Sequence, residues 1–246
     1  MSTLQSTSRS LAAVFSPIKS GGLVEEVCQR VEAAVETGLL ASGQRLPNET
    51  ELASALGVSV ITAREALSQL RGYGIIRTAR GRNGGSFIAD DVLPSPERAL
   101  ERLRRLTRLE IGDMRLHYTA IAATCARLAA RRAGASDIEV LRSFVQPDED
   151  AGPLAWRLAD SEFLLEVAAI ARSARLAREL LRIQADFGSV TLLPFTDSEH
   201  RLRSVGLRAA VADAIADHRP EVAESCTNAL IDASIDWLLA EQAKQS

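Results

Sequence analysis

A helix predicted to begin at Ser59 carries an unusual outward face. In the stretch LGVSVITAREALSQL, helical spacing places four apolar residues on one stripe: Ala63, Ala66, Leu67 and Leu70. The opposite stripe holds two β-branched residues beside a cation and a hydroxyl: Val60, Ile61, Arg64 and Ser68. In the major groove of DNA, apolar side chains contact thymine methyl groups and arginine hydrogen-bonds to guanine. The inner stripe is typical of a protein core, and the outer one has the chemistry to read base edges.

Two hydroxyls and a group of arginines add to this chemistry. Ser59 and Thr62 lie at the positive end of the helix, where phosphate binds. Downstream, RTARGRNGG supplies Arg77, Arg80 and Arg82 on a glycine-rich stretch, which is the composition of a loop that enters a minor groove or follows its phosphates. From Arg64 to Arg82 there are five Arg and one Glu, whereas residues 21–63 hold two Arg and six Glu. The alternative is that Val60 and Ile61 pack under helix two or the wing while Arg64 is merely solvated.

The surrounding pattern predicts the elements that hold these residues. Apolar positions recur at helical spacing from Gly22 to Leu39, which predicts a first helix. Asn48 and Glu51 form a capping box for a second helix that ends at Gly57, and Ser59 caps the third. Two β-prone pieces follow, residues 75–77 and 86–88, joined by the glycine-rich stretch. Helices two and three form a tight helix-turn-helix, and the hairpin makes it a winged one.

The rest of the chain reads as helix throughout. Long amphipathic segments without convincing strands predict a mainly α protein in which an antiparallel bundle of six or seven helices follows the winged helix. Pro94 and Pro96 mark a linker. The predicted boundaries are a flexible arm at 1–20, a DNA-binding domain at 21–90, the linker at 91–97 and the helical domain at 98–246.

Composition excludes several classes of protein. Hydrophobic residues are 46% and charged residues 25% of the 246, which is typical of a globular protein, and no apolar run reaches the ~18 residues of a membrane span. The three cysteines lie far apart and form no CxxC pair. No nucleophile elbow, phosphate loop or HExxH stands out, so we expect no enzyme activity. The expected location is the cytoplasm, with no membrane partner, since the N-terminus lacks the pattern of a signal peptide.

The stretch GLLASGQRLPNETELASALGVSVITAREAL resembles the signature of the GntR superfamily of bacterial transcription regulators. The helical half resembles the FCD ligand-binding domain of its FadR subfamily, through ARLAARRA, DSEFLLEVAAIARSARL and VADAIADHRPEVAESCTNAL. The resemblance implies a homodimer that binds a palindromic operator in double-stranded DNA and responds to a small effector. Regulators of this kind act most often as repressors.

Family DNA contacts come from the start of helix two, the first turns of helix three and the wing tip. The matching positions here are Thr50, Ser59, Val60, Ile61, Thr62, Arg64, Arg80, Gly81 and Arg82. Family members commonly carry Arg where this chain has Thr50 and Val60. Since a bidentate Arg to guanine gives about 1–3 kcal/mol of discrimination, we predict an unusual operator with thymines opposite Val60 and Ile61.

Many FCD domains bind a divalent metal through an Asp, a His four residues later and two further His. The matching positions here hold Asp160, Leu164, Arg208 and Leu230. Without imidazoles this set predicts no metal and no other cofactor. A shifted alignment that brings in His200 would restore only a partial site.

Two interpretations of the predicted pocket stay open. An aliphatic carboxylate or acyl effector would bind to a cavity lined by Asp160, Leu164, Arg208 and Leu230, with Arg115 as a further candidate. Alternatively, Arg208 and Asp160 form an internal ion pair and side chains fill the cavity. The alternative functions are a DNA-binding regulator without an effector, or a helical protein-interaction module whose wing has lost its function.

Overall fold

The chain folds as two compact units. The computed structural model describes residues 22–36, 39–79, 81, 84–89 and 96–244, so the predicted arm at 1–20 lies outside the described residues. The winged-helix unit spans Met1–Leu93 and the helical unit Pro94–Ser246.

The winged-helix unit contains three helices and a two-stranded antiparallel hairpin. Its elements in chain order are α1 (Leu23–Glu36), α2 (Glu49–Leu56), α3 (Val60–Gly72), β1 (Ile76–Ala79) and β2 (Gly85–Ile88). The inner stripe predicted for α3 is buried, α1 packs against α3, and Val27, Val31 and Val35 of α1 are buried. The predicted winged helix-turn-helix is confirmed.

Side-chain caps fix where α2 and α3 begin. The Asn48 side chain accepts hydrogen bonds from the backbone N–H groups of Thr50 and Glu51, and the Glu51 carboxylate accepts one from the Asn48 N–H. Gly57 follows α2 with φ of 66°, a left-handed conformation that favours glycine. Ser59 then caps α3 by accepting a bond from Thr62 N–H at 3.0 Å. These local signals hold the two helices in a tight turn.

The hairpin is joined to the segment that leads into α2. In the antiparallel register Ile76 lies opposite Ile88, and Thr78 opposite Ser86. Phe87 also forms an isolated bridge with Arg45. Backbone bonds of 2.9 Å run from Leu46 N–H to Ser86 O and from Ile88 N–H to Gln44 O.

The helical unit contains seven α-helices and a 3-10 segment within residues 96–244. These are α4 (Pro96–Arg105), α5 (Arg108–Arg132), α6 (Ala135–Ser143), α7 (Pro153–Ile170), α8 (Ala174–Phe187), the 3-10 segment (Gly188–Thr196), α9 (Ser198–Ala216) and α10 (Pro220–Lys244). The 25-residue helices α5 and α10 pack against each other. Five alanines in the second half of α5 are buried: Ala122, Ala123, Ala126, Ala129 and Ala130.

One predicted boundary differs from the structure. The linker was expected to reach residue 97, but α4 begins at Pro96. Proline is tolerated in the first turn of a helix because its missing N–H has no intrahelical partner there, so Pro96 starts an element instead of interrupting one. Within the described residues no helix is long and apolar enough to cross a bilayer.

Candidate DNA interface and effector cavity

The outward face of α3 is open to solvent. Ile61 is 67% exposed and Val60 39% exposed, so neither side chain is buried inside the unit. Ala63, on the inner stripe of the same helix, is fully buried. These exposures disfavour the interpretation in which Val60 and Ile61 pack under helix two or the wing.

Arg64 is held by an acidic residue from the start of α2. Its Nε and Nη2 atoms each lie 2.9 Å from the Glu49 Oε2 atom, and the Arg64 side chain is 63% exposed. The hydrogen bond and the charge of Glu49 raise the pKa of Arg64. The contact places the start of α2 beside the first turns of α3, as the predicted contact set requires.

The other predicted DNA-contacting residues take several positions. Thr50 and Ser59 are exposed, and Thr62 is half-buried. The hydroxyls of Ser59 and Thr62 share a hydrogen bond of 2.9 Å, so both serve the cap of α3 in the free protein. Gly81 is exposed with φ of 114°. Arg80 and Arg82 lie outside the described residues, and their roles stay predictions.

In the helical unit, four of the five predicted effector residues lie at or next to one small cavity. A cavity of about 20 Å³ is lined by Asp160, Leu164 and Leu230, and Asp160 contacts Arg208. The other apolar lining residues are Phe195, Ile231, Ile235 and Leu238, and the other polar ones are Tyr118, Arg157, Ser161, Gln184, Thr191 and Ser234. Such a volume holds about one water molecule. Side chains therefore fill most of the space.

Arg208 and Asp160 form a buried ion pair. Arg208 Nη1 lies 3.0 Å from Asp160 Oδ1, and Arg208 Nε donates to the Val145 carbonyl at 2.8 Å. The Arg208 side chain is fully buried and that of Asp160 is 16% exposed. This is the geometry of the second interpretation, an internal ion pair in a filled cavity.

The residues present do not fit a divalent metal. Leucine side chains have no donor atoms, and the Arg208 guanidinium neutralises Asp160. Among the described residues, no group of three or more His, Cys, Asp or Glu is arranged to hold an ion. His200 lies outside the cavity lining, buried, with Nε2 3.3 Å from the Ser234 hydroxyl. Burial lowers the pKa of His200, an effect that Asp160 and Asp197 partly offset.

Arg115 is not part of the cavity. It bridges two carboxylates of α10, with Nε 2.8 Å from Asp232 Oδ1 and Nη1 2.9 Å from Asp236 Oδ1. Its side chain is 31% exposed. The prediction of Arg115 as an effector residue is therefore wrong for this cavity, because its guanidinium is held by α10.

Sequence reasoning missed two polar residues of the cavity. Arg157 is buried and donates from Nε to the Thr191 hydroxyl at 2.8 Å. Gln184 is 3% exposed, and its Nε2 donates to Ser161 O at 3.4 Å. Since a carbonyl oxygen only accepts, this contact fixes the amide orientation, and Gln184 Oε1 has no hydrogen-bond partner among the described residues. No motif marks either residue. An arginine among apolar residues on one helix face is a sequence signal that could have identified Arg157.

Comparisons with known proteins agree with this architecture. Residues 23–88 match the family described as bacterial regulatory proteins, gntR family, and residues 110–233 match the FCD domain. An HTH-type transcriptional regulator of Mycobacterium gastri, RmpR, is 35% identical over 209 residues, which cover 82% of this chain and 75% of that protein.

Two further similarities are more limited. The Glc operon transcriptional activator of Escherichia coli strain K12 is 44% identical over 61 residues, 25% of this chain and 24% of that protein. The structure of Escherichia coli McbR/YncC has a TM-score of 0.55 at 16% identity, covering 91% of this chain and 99% of that one, which supports the fold alone. With both domains matched in order, this chain belongs to the gntR family of bacterial regulatory proteins and has the winged-helix and FCD architecture of its FadR subfamily.

Proposed function

We propose that this transcriptional regulator is a cytoplasmic homodimer that binds a palindromic operator and acts as a repressor. The observation that carries the proposal is the exposed face of α3, where Val60, Ile61 and Arg64 point to solvent beside the start of α2. An apolar surface next to a cation matches the thymine methyl groups and guanine acceptors of a major groove.

Contacts to phosphate give this proposal a measurable salt dependence. If a dimer neutralises ~6–10 phosphates, affinity for duplex DNA falls by about 10³–10⁵ between ~50 and ~200 mM salt. Fluorescence anisotropy with a labelled duplex at several salt concentrations measures that slope. A salt-independent affinity would favour the alternative of a helical interaction module.

The proposed operator differs from the common family half-site. Thr50 and Val60 replace two arginines, which removes two guanine contacts and leaves thymines opposite Val60 and Ile61. Selection from random duplexes tests this directly. Recovery of the usual guanine-centred half-site would contradict it.

For the FCD domain we propose a small carboxylate or acyl effector and no metal. The cationic Arg157 in the cavity lining and the apolar side chains around it support an anionic ligand with an aliphatic part. A cavity of about 20 Å³ admits such a ligand only if side chains move, so binding and rearrangement of the domain are coupled.

The filled cavity also favours a second candidate, a regulator without a small-molecule effector. Native mass spectrometry of freshly purified protein, combined with metal analysis, measures subunit number, retained ligand and metal content. We expect a dimer without metal. A panel of aliphatic carboxylates in a thermal-shift assay then separates the two candidates, because only an effector raises the melting temperature.

A further inference from the structure

The contact between Glu49 and Arg64 joins the two helices of the proposed DNA interface. Glu49 is the first residue of α2, but Asn48 and Glu51 supply the capping bonds. The Glu49 carboxylate therefore has no capping task. Its only hydrogen-bond partner among the described residues is the guanidinium of Arg64.

The geometry of the contact leaves one edge of the guanidinium open. Glu49 Oε2 accepts a hydrogen bond from Nε and lies 2.9 Å from Nη2, and these two nitrogens lie on the same side of the planar group. Nη1 and the second N–H of Nη2 form the other edge, a parallel pair of donors on a side chain that is 63% exposed. Within the described part of the chain, Arg64 contacts no other acceptor. A parallel donor pair is what the O6 and N7 atoms of guanine accept in the major groove.

We propose that Glu49 is a positioning residue that orients Arg64 to read a guanine. An exposed arginine otherwise samples many rotamers, and ordering it at an interface costs free energy. The carboxylate reduces this cost and fixes the plane of the guanidinium, so base discrimination at one operator position depends on Glu49 even though Glu49 itself contacts no base. This inference rests on the proposed contact of Arg64 with DNA.

The experiment compares three variants, each of which replaces one glutamate with an uncharged residue. Glu49→Ala removes the acceptor, and Glu49→Gln removes the charge but keeps an amide oxygen that accepts from Arg64. Glu65→Ala is the matched control, since Glu65 is exposed on α3 and contacts no charged group among the described residues. Circular dichroism melting curves confirm that each variant folds.

The readout is the ratio of affinities for the selected operator and for the same operator with the guanine replaced. We expect Glu49→Ala to lower this ratio about five- to tenfold, Glu49→Gln to lower it less, and Glu65→Ala to leave it unchanged. All three variants bind random duplex more tightly by similar factors, because each adds one net positive charge. Adding Glu49→Ala to Arg64→Ala causes no further loss of discrimination.

Several results would overturn the inference. If the ratio of affinities for the two operators is the same in all three variants, only the net charge of the protein affects binding. Tighter operator binding by Glu49→Ala with unchanged base preference would identify Glu49 as an anion that merely competes with DNA for Arg64. If Arg64→Ala itself keeps the guanine preference, the proposed base contact of Arg64 fails together with this inference, whereas a loss in Arg64→Ala alone rejects only the role of Glu49.

Discussion

The two units of this regulator each contain an arginine paired with a carboxylate at about 3 Å, and the two pairs differ in environment. Arg64 and Glu49 are 63% and 37% exposed, whereas Arg208 and Asp160 are 0% and 16% exposed. Exposed pairs contribute little to stability because water screens them. A buried pair gains little over apolar side chains, but breaking it leaves an uncompensated charge. We therefore expect the buried pair to matter for stability and the exposed pair to matter only for the proposed contact with DNA.

The largest expected effect tests the buried pair. Arg208→Met leaves the Asp160 carboxylate without its cation and removes the bond to Val145 O. We expect the free energy of unfolding of the helical unit to fall by about 3–5 kcal/mol. Urea unfolding followed by tryptophan fluorescence measures it, since Trp156 and Trp237, the two tryptophans, both belong to this unit.

Arg115→Met is the matched control for that measurement. Arg115 also pairs with carboxylates, but it is 31% exposed, so we expect a loss below about 1 kcal/mol. Losses of equal size at Arg208 and Arg115 would contradict the distinction drawn from burial.

A second prediction compares the two faces of α3. Leu67 is 2% exposed and Ile61 is 67% exposed. Leu67→Ala leaves a cavity in the core and lowers the free energy of unfolding by about 2–5 kcal/mol. Ile61→Ala changes it by no more than about 0.5 kcal/mol but weakens the thymine preference. Far-UV circular dichroism and binding to the selected operator measure the two effects, and a large stability loss in Ile61→Ala would show that Ile61 packs in a core.

A third prediction concerns pH. Burial lowers the pKa of His200 below its ordinary value, while Asp160 and Asp197 oppose this shift and Arg203 and Arg208 add to it. The unfolded chain then binds more protons than the folded one as the pH falls through the ordinary histidine range. Stability is full above that range and decreases as the pH falls, by at most about 1.4 kcal/mol per pH unit for one proton.

Urea midpoints of the wild type and of His200→Gln, measured from pH 8 down to about pH 5, test the sign. The glutamine variant lacks the titrating ring, so its curve is expected to be flatter. A wild type that becomes more stable on acidification would show the opposite linkage.

The smallest effect on stability is expected at the exposed pair. Arg64→Ala leaves the unfolding midpoint unchanged, because both partners are screened by water. The same variant loses about tenfold of the discrimination at one operator position. A stability loss like that of Arg208→Met would remove the contrast between the two pairs.

Local signals in the sequence predict much of the fold. The capping box of Asn48 and Glu51, the left-handed Gly57 and the cap at Ser59 depend on neighbours within three residues, and all three are confirmed. The Pro96 boundary was wrong because proline both ends and begins helices, and only the following contacts decide between the two.

Long-range partners were harder to predict. The pairing of Asp160 with Arg208 was one of two open interpretations, since 48 residues separate them and only packing decides whether a ligand or a side chain neutralises the carboxylate. Glu49 was not predicted as a functional residue, because an acidic residue at the first position of a helix is already explained by its interaction with the helix dipole. Arg157 and the 3-10 segment over the cavity carry no sequence motif.

The backbone bonds between β2 and residues 44–46 join the hairpin to the segment before α2. Because this segment leads directly into α2, the base of the hairpin and the paired helices keep their separation before DNA is bound. If α3 reads bases and the hairpin contacts phosphates as proposed, the interval between those two contacts along the DNA is constant. Inserting one base pair into that interval should abolish binding of a half-site, whereas changing the base identities inside it should have little effect.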